Sequence, residues 1–198
     1  MILNIQNLKI IECFLANYNS SFTASTIASK YGFNQKSVSN FLNSLETENF
    51  LISKFEGRNR LFSLNLYNSS IIHFLSLIEH YKVTTFYKKN PLVKEISLKI
   101  LEVSDGIVII FGSYAKERHK PDSDLDIFII GKYDEDKVNK ISEMYKKDIN
   151  IKNYPFNIFK KALKTHDPLI EEVIKNHIIL KGVQEFVENL KVKYYGKD

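Results

Sequence analysis

The sequence predicts an α+β protein in two parts, and three observations carry that prediction. The N-terminal stretch spaces its apolar residues by three and four, then closes with two short strand-like runs around a glycine turn. The middle holds two β-branched runs, at 107–111 and 125–130, bounded by glycines and joined by a charged loop. Around them, apolar residues return to helical spacing. The pattern reads as helices closed by a hairpin, followed by a mixed β-sheet flanked by helices. Boundaries are expected at residues 1–66 for the first domain, 67–90 for a connecting helix and 91–198 for the second domain.

Composition sets the class. The chain has 198 residues, 44% hydrophobic and 26% charged, the balance of an ordinary globular protein. No apolar run approaches the roughly 20 residues of a membrane span. Polar residues interrupt the N-terminus and no small-residue cleavage site follows, so no membrane association and a cytoplasmic location are expected. Cys13, the one cysteine, sits in an apolar helical pattern and reads as a core residue. The net charge of +5 permits contact with nucleic acid without requiring it.

Taken in order, Ile2, Ile5, Leu8, Ile11, Leu15 and Tyr18 define an amphipathic helix, broken at Asn19-Ser20-Ser21. A second short helix, 23–31, is stopped by Gly32. Asn34 can cap a third, running to about Asn49, with Val38, Phe41, Leu42 and Leu45 inward. Residues 50–54 and 60–64 are strand-like, with Glu56-Gly57-Arg58-Asn59 as their turn.

This order over residues 4–66 resembles a winged helix-turn-helix domain. The resemblance implies that the third helix enters the major groove of double-stranded DNA and the hairpin touches its backbone. Gln35, Lys36, Ser37, Ser39 and Asn40 would then meet base edges or phosphates, and Lys54, Arg58 and Arg60 would meet phosphates. The competing reading is that the same polar faces are solvated and the domain packs against protein or a second copy of the chain.

Residues 68–89 contain no glycine or proline and form a connecting helix, serving core packing or the seam of a homodimer. Pro91 opens the next helix, periodic from Leu92 to Val103, and Ser104-Asp105-Gly106 is expected to end it. In the strand at 125–130, residues two apart share a face, so Asp124 and Asp126 point together about 6–7 Å apart. Two like charges there repel by about 2–3 kcal/mol at an effective dielectric near 20. A divalent cation, Mg²⁺ or Mn²⁺, is the economical partner for such a pair with substrate phosphates. Gly112-Ser113 supplies a strand-to-helix bend with exposed N–H groups and a hydroxyl, which suits phosphate.

Gly112-Ser113, ten residues, then Asp124-Leu125-Asp126 is similar to the Gly-Ser-x10-Asp-x-Asp signature of minimal nucleotidyltransferases in the DNA polymerase β-like superfamily. The resemblance implies an NTP substrate, ATP foremost, with the cation on Asp124 and Asp126. It implies catalytic roles for Asp124, Asp126 and Ser113, and nucleotide contacts from Gly112, Ser113, Lys116 and Ser123. Ala115 and Lys116 fit the pattern within the expected short helix 114–118, but Glu117 stands where glycine is usual. Active members place a third carboxylate on a later strand, and residues 149–159 contain no Asp or Glu. Asn150 and Asn153 stand there and Asp148 lies just before, so two carboxylates suffice, Asp148 reaches in, or the domain is a weakened relative.

Acidic residues at 134–136 open a helix to about Lys147. His166, Pro168 and the His177-Ile-Ile-Leu-x-Gly182 ending resemble the tail of archaeal-type members with fused helix-turn-helix domains. Residues 191–198 read as a frayed basic end. The implied activity is transfer of a nucleoside monophosphate to an acceptor, whether protein, small molecule or nucleic-acid end. Some members of that family are antitoxins that modify HEPN-type toxin partners. The alternatives are a DNA-binding regulator or antitoxin-like protein whose nucleotidyltransferase domain is a degenerate nucleotide sensor, and a non-catalytic partner-binding protein.

Overall fold

In a computed structural model, residues 4–165 and 167–195 are described; Ile2, His166 and residues 196–198 lie outside them. The chain is a mixed α+β protein dividing into two compact units. One runs to Ile78 and takes in the chain from Leu190 onward; the other is Glu79–Asn189.

In the first unit, Asn4 caps α1 (Ile5–Leu15) by accepting from the Asn7 N–H. Leu8, Ile10, Ile11, Phe14 and Leu15 are buried, while Ile5 in the first turn remains exposed. β1 (Ser21–Phe22) follows, where the sequence suggested only a break. Its two residues are too few to show an alternation. Thr23 caps α2 (Ala24–Tyr31), and Gly32 closes it. Asn34 caps α3 (Gln35–Thr47), which buries Val38, Leu42 and Leu45. β2 (Leu51–Glu56) and β3 (Asn59–Leu64) form the hairpin, and β1 pairs with the other edge of β3, giving the order β1-β3-β2.

The connecting segment is one helix, α4 (Ile71–Lys89), divided between the units at Ile78/Glu79. The second unit continues with α5 (Pro91–Glu102), β4 (Ser104–Ile110), α6 (Gly112–Ala115), β5 (Leu125–Tyr133), α7 (Glu135–Tyr145) and β6 (Ile149–Tyr154). It ends with α8 (Phe156–Ala162), α9 (Pro168–Lys175), β7 (Ile178–Lys181) and the first part of α10 (Val183–Tyr194), a helix divided between the units at Asn189/Leu190. Residues 191–194 are therefore helical, not frayed, and within the first unit Tyr194 and Tyr195 pack on Tyr18 and Tyr67. An apolar end that finds aromatic partners has reason to stay ordered.

The sheet of the second unit has the order β6-β5-β4-β7, with β5 antiparallel to β4 and parallel to β6. Both central strands are buried on both faces, which explains their unbroken β-branched runs. Residues 104–106 belong to β4 rather than to a loop. Gly106 pairs with Gly131, and a side chain at either would strike the opposing carbonyl. The two glycines let the backbones close there, so here glycine extends a strand instead of ending one.

A buried polar knot lies elsewhere in this unit. His177 Nε2 is 2.9 Å from Glu79 Oε1, and both side chains are almost wholly inaccessible. His177 Nδ1 faces the carbonyls of Val173 and Ile174 at 3.0 and 2.9 Å. Both ring nitrogens thus face oxygen atoms of the protein. Lys82 approaches the other Glu79 oxygen at 3.5 Å. Burial pushes the Glu79 carboxyl up, but Lys82 and His177 more than offset it and hold it at about 2.

Candidate active site

β4 and β5 run side by side to the point where the chain turns at Phe111, whose N–H donates to the Asp126 carbonyl. Gly112 follows with φ of +67° and begins α6. A side chain at 112 would collide with the Asp126 carboxylate. The bend and the acid are therefore in direct apposition, and only glycine supplies both the left-handed backbone and the space. Asp126 is half-buried and Asp124, at the mouth of β5, is exposed.

β6 lies parallel to β5 with Asn150 in register opposite Asp126. Its amide donates to Asp124 Oδ2 at 3.1 Å and also steadies Asp126. Burial pushes the Asp126 carboxyl up; the Asn150 amide opposes this, Asp124 and Glu172 add to it, and Lys116 opposes it. Among the described charged groups that act on Asp126, two acids thus stand against one lysine. Asn150 stands at the strand position expected for a third acid. Asn153 is turned away, donating to the carbonyls of Ile129 and Gly131. Asp148 is exposed, and its backbone carbonyl pairs with the Leu125 N–H. Neither enters the contacts around the acid pair. Among the described residues, no three His, Cys, Asp or Glu side chains are gathered closely enough to hold a metal.

The loop from α6 to β5 is held by stacking. The His119 ring lies on Tyr114 at 4.1 Å between centroids, and Lys147 approaches that ring at 5.4 Å. Lys147 Nζ also donates to the Pro121 carbonyl at 3.0 Å. Ser123 Oγ accepts from the Lys120 N–H at 2.8 Å, a turn-closing contact. The short helix spans 112–115, not 114–118, because it starts at the bend itself. Lys116 caps it, and Glu117 takes φ of +53°. The residue where glycine is usual therefore adopts a glycine-like backbone. Ser113 is half-buried at the second position of α6.

Residues 98–185 match the family model described as Polymerase beta, Nucleotidyltransferase. That segment contains Gly112, Ser113, Lys116, Asp124, Asp126, Asn150 and Glu172, and the match supports the DNA polymerase β-like superfamily for it. Among curated proteins and among solved structures, nothing matches the chain.

Glu172 was not legible as a site residue in the sequence. It lies on α9, 56 positions beyond Lys116, to which it is bonded at 2.6 Å. No local spacing links those two positions. In the first unit, Gln35, Lys36, Ser37 and Asn40 are exposed along the start of α3, whereas Ser39 is half-buried. Lys54 and Arg58 are exposed on the hairpin, with Lys54 paired to Glu56 at 2.7 Å. Arg60 is bonded to Glu46, Asn43 and Ser53 and lies over the Phe62 ring. No helix among the described residues is long and apolar enough to cross a membrane.

Proposed function

We propose that the second unit transfers a nucleoside monophosphate from an NTP, ATP in the first instance, to an acceptor hydroxyl. The observation that carries this reading is the Asp126 carboxylate seated against the Gly112 backbone at the strand-to-helix bend. A phosphate cradle and a metal-holding acid are then neighbours, as in-line transfer requires. The donor set fits Mg²⁺ or Mn²⁺: hard carboxylate oxygens, an acid pair short of positive charge, and a backbone open to phosphate. Asp124 and Asp126 would hold the cation, which when bound neutralises charge on the phosphates. Gly112 lets the phosphates reach the first N–H groups of α6, and Ser113 offers its hydroxyl. Lys116 gives a further positive group, and the Tyr114–His119 stack with Lys147 over Tyr114 packs the loop between the bend and the acids. The acceptor oxygen bonds to the α-phosphorus, the bond from that phosphorus to pyrophosphate breaks, and the hydroxyl proton passes to water.

For the first unit we infer a winged helix-turn-helix that contacts double-stranded DNA. The order α1-β1-α2-α3-β2-β3 and the exposed Gln35, Lys36, Ser37 and Asn40 support it. Lys36, Lys54, Arg58 and Arg60 are the charges offered to phosphates, with Arg60 also bonded to Glu46.

One observation favours a second reading, a nucleotide sensor without turnover. Asn150 brings an amide, with no charge and no basicity, to the strand opposite Asp126. Incubation with α-labelled NTP, Mg²⁺ and a panel of protein, small-molecule and nucleic-acid acceptors separates the two. Label transfer with pyrophosphate release, lost in Asp124→Asn, is expected of the transferase. Nucleotide binding without transfer to any acceptor favours the sensor. Failure of the full chain to bind any duplex, even at low salt, would remove the DNA-binding role.

A further inference from the structure

We propose that Glu172 competes with a bound polyphosphate for Lys116, and that their ion pair must open for a polyphosphate to occupy the site. This rests on the nucleotide-binding reading above and adds a determinant of affinity to it.

Lys116 caps α6, four positions after the glycine that lies on Asp126. Its ammonium is bonded to Glu172 Oε1 at 2.6 Å. Glu172 also acts on Asp126 as a like charge, alongside Asp124, and Lys116 acts on Asp126 in the opposite sense. In this state, then, the lysine nearest the bend is engaged by an acid that repels the other acids. A polyphosphate adds negative charge to that group. It attracts Lys116 and repels Glu172, so the lysine changes partner and leaves the Glu172 carboxylate to water.

The two members of the pair are not equally free. Glu172 rides on α9, which is tied at both ends. Asp167 caps its start, accepting from the Ile170 N–H at 3.0 Å and from the Tyr154 hydroxyl of β6 at 3.1 Å. Just past its end, His177 is locked to Glu79. Lys116 sits at the end of a four-residue helix on a long flexible stem. Glu172 is therefore the fixed post and Lys116 the arm that moves. Both side chains are more than a third exposed, 36% and 40%, so the contact is weak. Exposed pairs contribute at most about 1 kcal/mol, which bounds the competition at roughly 5-fold in affinity.

The test is calorimetric titration of ATP with Mg²⁺ into the full chain and its variants. Glu172→Gln is expected to tighten binding by roughly 2- to 5-fold, and Glu172→Asp to stay near wild type. Lys116→Gln should weaken binding, and in that background the gain from Glu172→Gln should largely vanish. Unchanged or weaker binding by Glu172→Gln overturns the proposal, as does the same gain with or without Lys116, or no effect of Lys116→Gln. Loss of Mg²⁺-dependent binding in Glu172→Gln would place it with the metal-holding acids instead and also overturn it. Wild-type binding lost in Asp126→Asn but indifferent to Glu172 sinks this proposal alone. No binding by the wild type sinks the nucleotide reading with it.

Discussion

Glu79 and Asp126 are both drawn back from water, yet their carboxyls shift in opposite directions. Glu79 is wholly buried but has His177 on one oxygen and Lys82 near the other. Its charge is matched, and the knot ties α4 to the α9–β7 junction. Asp126 is less buried, yet it faces Asp124 and Glu172, with one lysine and one amide against them. Its charge is left over. The difference teaches how to tell a structural acid from a working one. A buried carboxylate surrounded by cations is complete in itself, whereas an acid cluster in deficit is waiting for positive charge from elsewhere.

Breaking the matched site should have the larger effect on stability. Glu79→Gln removes the buried charge that His177 and Lys82 face, and a loss of about 3–5 kcal/mol is expected in urea unfolding. A loss under about 1 kcal/mol would mean that the knot is loosely solvated. The same site gives an acid limit with a definite sign. The Glu79 carboxyl lies at about 2 in the folded chain against an ordinary 4.5. Its stabilisation is therefore present above pH 4.5 and lost as pH falls toward 2. Thermal melting across that window should fall more steeply for the wild type than for Glu79→Gln, and parallel curves would contradict the assignment.

At the unmatched site, Gly112→Ala forces a side chain onto Asp126 at a left-handed backbone position. A loss of about 1–3 kcal/mol, with nucleotide binding impaired, is expected. Asp126→Asn removes charge that the chain does not neutralise, so unfolding free energy should hold or rise by up to about 1 kcal/mol while function is lost. A clear loss of stability would make Asp126 a second structural acid. The smallest effect belongs to Glu117→Gly, which relieves a left-handed non-glycine residue and should stabilise by about 1 kcal/mol at most. Destabilisation would show that the Lys89–Glu117 pair, 2.9 Å apart, outweighs the backbone.

The contrast also explains what could be read in the sequence. Gly112 directly follows β4 and Asp124 and Asp126 stand at the start of β5, one short loop away, so local spacing and the signature it matches brought them into one reading. α1 to α3 and the hairpin followed from periodicity and capping residues for the same reason. Lys116–Glu172 and Glu79–His177 join residues 56 and 98 positions apart, where only the finished sheet brings them together. Lys147 looked like the last basic turn of a helix, yet it is buried beneath the motif loop. β1 was too short to signal itself, and the Gly106–Gly131 pair mimicked a chain break. The Arg60–Glu46 bond was hidden because its two members belong to different elements.

The central claim is that the acid pair at the Gly112 bend is completed by a divalent cation carrying a nucleotide polyphosphate. Titration of ATP into wild type and Asp126→Asn, each with Mg²⁺ and with chelator, tests it most directly. Binding that requires Mg²⁺ in the wild type and disappears in a stably folded Asp126→Asn is predicted. Nucleotide binding that ignores both Mg²⁺ and the substitution would contradict it.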